Sequence, residues 1–462
     1  MIRITAFAGR TVAVFGLARS GIVSAQALMA GDATVACWDD GAGGRAAADA
    51  AGLPLVDLTT ADWSQFAALV LAPGVPLTHP KPHWTVEKAK AAGVEIIGDI
   101  ELFFRERAKS CPDSPVIAIT GTNGKSTTTA LIAHILRASG RDVQMGGNIG
   151  IGILALEPPA PDRFHVIEMS SYQIDLTPTL NPTVGVLLNV SPDHLDRHGT
   201  IETYAAVKAR LVDGAKRAVV VIDDDWCRGV SAKLPLPSAD VVIVSKSNSV
   251  HVDLSYDSHA VYKSGGEVVI DLSSVATLRG EHNAQNTAAA IGALHMLDGA
   301  LADDAAIARH IRTFGGLPHR LENVGRVGRA LFVNDSKATN ADSTEKALAS
   351  FPGDIFWILG GQAKTGGIES LRDYFPRVTK AYLIGEATAA FAHTLDGDVA
   401  IIPCGTLEAA VEAAASDAAL SPAKEPVVLF SPACASFDQF RSFEHRGDVY
   451  HDLVRKLPGL AP

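Results

Sequence analysis

Val116-Ile-Ala-Ile-Thr-Gly-Thr-Asn-Gly-Lys-Ser-Thr127 runs four apolar, strand-like residues into a glycine-bracketed turn and a Lys-Ser-Thr helix start. Gly121 and Gly124 let the backbone turn around Thr122 and Asn123 with its N–H groups facing inward. The helix predicted from Ser126 to about Ala138 adds its positive N-terminal end. The stretch reads as a phosphate cradle. Lys125 would reach the β/γ-phosphates, and the Ser126 hydroxyl, with Thr127 next to it, would sit on Mg²⁺. The usual spacing of such loops wants a glycine where Ile119 stands, so this is a shortened variant. The competing reading is an ordinary strand-to-helix turn rich in small residues.

At 462 residues the chain exceeds one ordinary core, and about 100–200 residues per domain suggests roughly three domains. Hydrophobic residues at 47% and charged residues at 20% describe a globular protein. A net charge of −11 argues against nucleic acid or an anionic membrane as partner. Cys37, Cys111, Cys227, Cys404 and Cys434 are scattered, odd in number and never spaced C-x-x-C, so neither a disulfide framework nor a zinc knuckle is indicated. The N-terminus lacks the basic and apolar regions of a signal peptide and no apolar run approaches ~18 residues, so a cytoplasmic location is expected.

The chain opens as a βαβ unit: Thr11 to Phe15, a glycine turn from Gly16 to Gly21, a helical stretch, then Thr34 to Asp40. Gly16 and Gly21 match two glycines of a dinucleotide fingerprint, and Asp39 lies near the distance where an acidic residue meets a ribose. Ala18 replaces the middle glycine that lets a pyrophosphate approach, which weakens NAD and favours another phosphate-bearing ligand. The strand from Ala68 ends in a turn at Pro73-Gly74 that would face the same crevice, and a structural turn explains it equally well. Charged residues Arg105, Glu106, Arg107 and Lys109 then give way to Cys111-Pro-Asp-Ser-Pro115, where a domain boundary is expected.

Past the cradle come Gly146-Gly-Asn148-Ile-Gly150 and a strand ending at Glu168, where such folds place a carboxylate near the metal or its water; an acid without a role is the alternative. Val184 to Val190 leads into Ser191-Pro-Asp-His194-Leu-Asp-Arg-His198-Gly199, dense in ligand-type side chains. His194 could ligate a metal; zinc on His194 and His198 is a rival that lacks a third nitrogen or sulfur ligand nearby. Ile201 to Gly214 reads as an amphipathic helix whose cations, Lys208 and Arg210, could equally line a solvated face. Gly280-Glu-His-Asn283-Ala-Gln-Asn286 starts an alanine-rich helix after short β-rich runs, and its amides could bond a base edge or cap the helix. Beyond a second boundary at Gly315-Gly-Leu-Pro-His-Arg320, strands alternate with helices again, which predicts another parallel sheet.

Taken in order, Thr-Gly-Thr-Asn-Gly-Lys-Ser126, Asn148-Ile-Gly, Glu168-Met-Ser-Ser-Tyr-Gln, Pro192-Asp-His-Leu-Asp-Arg-His, Gly280-Glu-His-Asn and Leu317-Pro-His-Arg resemble the Mur ligase superfamily from about Thr11 to Gly447. Within it, Asn334-Asp-Ser-Lys-Ala-Thr-Asn340 and Ser431-Pro-Ala-Cys-Ala-Ser-Phe-Asp-Gln-Phe440 resemble the members that join D-glutamate to UDP-N-acetylmuramoyl-L-alanine. The resemblance implies an α/β chain of three domains. These are a Rossmann-like UDP-substrate domain (1–108), a central ATP-binding domain with a mostly parallel sheet (109–316) and a Rossmann-like amino-acid domain (317–462). It further implies a cytoplasmic, monomeric ligase of peptidoglycan precursor synthesis that uses ATP and two Mg²⁺ ions through an acyl phosphate.

Carried over on the matching positions, Lys125 and Ser126 hold the phosphates and the first Mg²⁺, with Glu168 at that metal and His194 at the second. Lys208 matches the family lysine that becomes carbamylated and so turns into an anionic oxygen ligand. Asn148 faces substrate or phosphate, Asn283 and Asn286 the adenine, and Arg320, Asp335 and Lys337 the nucleotide. The D-glutamate pocket takes Thr339, Lys364, Ser436, Phe437 and Phe443. Leu17, Ala18, Asp39 and Gly74 fall on the uridine-nucleotide side. Three other readings compete: a nucleotide-driven switch with partner-stimulated ATPase activity, an NAD oxidoreductase that leaves Lys125 without a job, and a sister ligase for another amino acid or for folate.

Overall fold

The computed structural model describes residues 1–247, 251–297, 303–363 and 366–461. Its contacts divide the chain into two compact units, Met1–Ile270 with Gln285–Arg312, and Asp271–Ala284 with Thr313–Pro462. The first unit carries two sheets. Strands β1 (Thr11–Phe15), β2 (Thr34–Trp38), β3 (Phe66–Leu71) and β4 (Glu95–Ile97) form a parallel sheet in the order β2-β1-β3-β4.

The second sheet contains β5 (Val116–Thr120), β6 (Asp142–Gly147), β7 (Arg163–Glu168), β8 (Val184–Leu187), β9 (Arg217–Val221), β10 (Val241–Ser245), β11 (Leu254–Tyr256), β12 (Ala260–Lys263) and β13 (Val268–Asp271), in the order β13-β12-β11-β10-β9-β8-β5-β7-β6. It is parallel from β6 to β11 and turns antiparallel at β12. Strand β5 lies between β7 and β8, with Ile119 in register with Glu168 and Thr120 with Leu187. The glycine loop after β5 is therefore flanked by the ends of two neighbours, where α/β sheets bind ligands.

Both sheets share one apolar core through the helix Asp99–Ser110, whose Ile100, Phe103 and Phe104 are buried with Val12 and Val14 on one side and Val116 and Ala118 on the other. Its charges are anchors. Glu106 accepts hydrogen bonds from Thr5 N and Oγ1, and buried Glu101 accepts from Thr179 N and Oγ1 and from Arg105 Nε. A carboxylate taken from water needs such donors, so these residues hold the helix in one position.

The second unit contains β14 (Glu322–Val327), β15 (Ala330–Asn334), β16 (Ile355–Gly360), β17 (Val378–Ile384), β18 (Ala400–Gly405), β19 (Val427–Phe430) and β20 (Leu460–Ala461), in the order β18-β17-β16-β19-β15-β14-β20. The five central strands are parallel, as the alternation predicts; β14 and β20 add an antiparallel edge. Ile355, Trp357 and Leu359 of β16 pack with Leu348, Leu371 and Phe391 on one face, while Phe356 and Ile358 pack with Val411, Ala414 and Tyr450 on the other. Alternate residues point to opposite faces, so a continuous apolar run covers both. The chain moves outward through β16, β17 and β18 and then returns to insert β19 between β16 and β15. That reversal puts the loop after β19 at a topological switch point.

Among the described residues, no helix is long and apolar enough to cross a membrane.

Candidate active site

The helix after the glycine loop begins at Lys125, one residue before the position expected, with Gly124 as its N-cap at φ +85°. A Cβ at Gly124 would come within 2.1 Å of Asn286 Oδ1. Glycine is thus required both by the left-handed backbone and by the amide pressed against it. Asn286 is buried, and so is Asn283, whose Nδ2 donates to Arg279 O at 2.9 Å. Neither amide is the helix N-cap, because both lie inside Glu281–His295.

The loop is held from β8 as well. Asn189 just beyond that strand accepts from Asn123 N at 2.8 Å and donates to Asn123 O at 3.2 Å, while Thr122 N donates to Asn189 O at 2.9 Å. The sequence reading assigned no role to Asn189. Its only signal was a polar amide directly after a buried strand at the binding edge of the sheet.

Lys125 Nζ donates to Gly121 O at 2.9 Å and Thr122 O at 2.7 Å. Lys208 Nζ donates to the same Gly121 O at 2.8 Å and to Thr120 Oγ1 at 3.3 Å, over the Tyr204 ring. Two lysines thus converge on one carbonyl. The surface alternative for Lys208 is overturned, since it is 1% exposed. Burial, and then the charge of Lys125, hold its amine well below the ordinary lysine pKa.

Glu168 ends β7, 2% exposed, and its Oε1 accepts from Asn148 Nδ2 at 2.8 Å. Its Oε2 is buried with no hydrogen-bond partner. A carboxylate oxygen left without a donor suits a cation, which supplies the missing positive charge. Ser126 is buried in the first turn of the helix. His194 caps a short helix, Leu195–His198, at φ +55°, with its Nε2 3.3 Å from Asp193 Oδ2. Burial lowers its pKa, and the nearby lysine charges act in the same direction. His198 is buried against Ser171 Oγ at 2.9 Å and pushed down to about 4, chiefly by desolvation, so it is neutral at pH 7. Among the described residues no set of three or more His, Cys, Asp or Glu side chains is gathered as a protein-only metal cage.

The same segment reaches the first sheet. Arg197 donates to Gly74 O and Val75 O, each at 2.9 Å, and stacks over Tyr172. At the first glycine turn, Asp39 Oδ2 accepts from Leu17 N and Oδ1 from Gly41 N, both at 2.7 Å, while Ala18 is the exposed N-cap of Arg19–Ala30. A carboxylate thus accepts from the first amide of the glycine turn and ties the end of β2 to it.

In the second unit, Asp335 is buried after β15, with Oδ2 accepting from Ser431 Oγ at 2.7 Å and Oδ1 from Leu321 N at 3.2 Å. Lys337 Nζ lies 3.9 Å from the Phe443 ring centroid, and Lys337 N donates to the backbone oxygen of His319, beside Arg320. Ser436 is buried and Phe437 exposed on the loop after β19; Thr339 sits on the loop after β15, and Phe443 begins the helix Phe443–Arg455. Lys364 lies outside the described residues.

Burial pushes the Asp335 carboxyl up to about 7. The folded state then holds this proton more tightly than the unfolded chain, so the group's contribution to stability is present below the ordinary carboxylate pKa and lost as pH rises to about 7. Asp335→Asn should remove that loss. Thermal melts from pH 5 to 8 should show the variant gaining on wild type as pH rises; a constant difference would contradict the assignment.

Residues 119–294 match the Mur ligase middle domain, and residues 319–434 match the Mur ligase, glutamate ligase domain. The chain is 56% identical over 467 residues to the UDP-N-acetylmuramoylalanine--D-glutamate ligase of Brucella abortus (strain 2308), covering 100% of this chain and 99% of the relative. It is 58% identical over 468 residues to the enzyme of that description from Nitrobacter hamburgensis, covering 100% of both. Among solved structures, the UDP-N-acetylmuramate-alanine ligase MurC of Thermotoga maritima has the same fold at TM-score 0.56 and 16% identity, over 96% of this chain and 99% of that one. With a glycine loop, two convergent lysines and a strand-end glutamate inside the matched middle domain, and with full-length identity above half, the chain belongs to the Mur ligase family.

Proposed function

We propose that this enzyme joins D-glutamate to UDP-N-acetylmuramoyl-L-alanine at the expense of ATP, the cytoplasmic step of peptidoglycan precursor synthesis that the sequence resemblance implies. The observation that carries the chemistry is the convergence of Lys125 and Lys208 on Gly121 O, next to a strand whose Glu168 keeps one carboxylate oxygen without a donor. The full-length relatives supply the substrates.

In this reading a carboxylate oxygen of the UDP substrate attacks the γ-phosphorus, the bond to the β-phosphate oxygen breaks, and ADP leaves. The D-glutamate amine then attacks the acyl carbon, loses a proton, and expels phosphate as the amide forms. The first step brings anions together, so the main demand on the protein is neutralisation and alignment. Lys125 leaves the loop carbonyls for the phosphates, and the loop amides fixed by Asn189 face the transferred group. Mg²⁺, two ions in this reading, neutralises phosphate charge when bound; Ser126, Glu168, His194 and a carbamylated Lys208 are the residues that would hold it.

Asn148, hydrogen-bonded to Glu168, borders the reacting carboxylate, and Asn283 and Asn286 serve the adenine. Leu17, Ala18, Asp39 and Gly74 take the uridine-nucleotide side. Arg320, Asp335 and Lys337 meet the nucleotide, and Thr339, Lys364, Ser436, Phe437 and Phe443 form the D-glutamate pocket. We assign these tasks to segments 1–108, 109–316 and 317–462 of one monomer.

Phosphate release from ATP tests the reading. Release should require UDP-N-acetylmuramoyl-L-alanine and should be fast with D-glutamate and at background with L-glutamate or meso-diaminopimelate. Equal rates with meso-diaminopimelate would move the enzyme to a sister specificity, and release without small substrates would favour a switch.

A further inference from the structure

The loops that follow β15, β16 and β19 meet around one guanidinium. Arg446, on the helix Phe443–Arg455, is 1% exposed. Its Nε donates to Ser336 Oγ at 3.0 Å and its Nη2 to Ser336 O at 2.8 Å, both on the loop after β15. Nη2 also donates to Cys434 O at 3.0 Å, and Nη1 to Ala435 O at 3.2 Å, both on the loop after β19. From the third loop, Gly361 approaches so closely that a Cβ there would lie 3.1 Å from Nη1 and 2.5 Å from Ala435 O. Its φ of +130° likewise calls for glycine.

Among the described residues no carboxylate is hydrogen-bonded to this guanidinium; all four acceptors are a hydroxyl or main-chain carbonyls. Burying a charge is costly; here a planar fork of donors is met by a hydroxyl and three carbonyls on two adjacent loops, and the Asp438 and Asp335 carboxylates add favourable charge nearby. A cation needed only for helix stability would lie at the surface. Here the fork sets the spacing at the switch point where β19 returns between β15 and β16, the place such sheets use for ligands.

We propose that Arg446 is a positioning residue for the amino-acid substrate: it fixes the Cys434–Ser436 segment against the loop after β15 and so shapes the pocket that receives D-glutamate. The inference rests on the ligase reading above. Ser336 is tied to Asn334 Oδ1 and Phe443 O, and Asp335 to Ser431 and Leu321. The Cys434–Ala435 turn has the paired backbone bonds of Ala435 with Gln362 and then Arg446. Loosening the fork therefore loosens the Cys434–Ala435 carbonyls that lead directly into Ser436 of the proposed glutamate pocket.

The test separates the two half-reactions. Hydroxylamine in place of D-glutamate traps the acyl phosphate as a hydroxamate and needs only ATP and UDP-N-acetylmuramoyl-L-alanine. Arg446→Lys keeps the charge and loses the fork. It should raise KM for D-glutamate about tenfold or more while KM for ATP and the hydroxamate rate stay within about twofold of wild type. Ser336→Ala, which removes one acceptor, should shift KM for D-glutamate in the same direction by about threefold and reports on the fork even if Arg446→Lys folds poorly. An unchanged KM for D-glutamate in a folded variant, or a hydroxamate rate that falls in step with ligation, would overturn the proposal. A wild-type enzyme that forms no hydroxamate would instead overturn the ligase reading itself.

Discussion

Lys125→Ala should lose ligation by about 10³-fold or more while remaining folded. The expectation follows from where the side chain is and what it does there. Its Nζ caps Gly121 O and Thr122 O at the mouth of the glycine loop, and the residue is only partly buried. Losing those two bonds removes roughly 1 kcal/mol of net stability, a shift of about one degree in Tm for a chain of this size. The catalytic loss is far larger, because a cation aimed at a transferred phosphoryl group stabilises charge that grows in the transition state. Lys208 cannot substitute, since it is buried and its amine is held toward the neutral form. Single-turnover ADP formation with saturating UDP-N-acetylmuramoyl-L-alanine, beside a thermal melt, decides the matter. Turnover above a few per cent of wild type in a folded variant would show that the loop has been misassigned.

The second large effect belongs to Lys208. In the proposed reading this amine, 1% exposed and with its pKa lowered by burial and by Lys125, takes up carbon dioxide. The amine nitrogen bonds to the carbon of CO₂ and releases a proton, leaving a carbamate whose oxygens are anionic. This places negative charge beside the Lys125 ammonium. Lys208→Ala should therefore be nearly inactive and should recover in part with millimolar short-chain carboxylates, which can supply the lost oxygens. Wild type prepared without bicarbonate should be less active, and a ¹³C-bicarbonate-loaded sample should show a carbamate resonance that Lys208→Ala lacks. No rescue together with no carbamate signal would refute the assignment.

Much of this was legible in the chain because it is local. Strand, glycine turn and helix from Val116 to Ala138 follow from apolar runs and glycine placement, and the alternation from Ala330 onward predicts the parallel sheet that forms. Glu168 could be placed at a strand end by counting along β7. The Mur ligase strings are short and contiguous, so they could be matched without any fold.

What tertiary structure alone decided lies in contacts between residues far apart in sequence. Period 3.6 puts Lys208 on a helix face but does not say whether that face meets water; only packing against Tyr204 and Gly121 buries it. Asp39 stands where a ribose acceptor would, and its hydrogen bond to Leu17 N, across 22 residues, ties the end of β2 to the glycine turn. Asn189, Arg197 and Arg446 resemble ordinary polar residues in the sequence. Their roles come from fixing main-chain groups of distant loops, Asn123 for the first, Gly74 and Val75 for the second, Ser336 and Cys434 for the third. A backbone carbonyl has no residue type, so no sequence pattern marks the loop it belongs to; local periodicity specified the strands and helices, and long-range hydrogen bonding chose which side chains hold the site together.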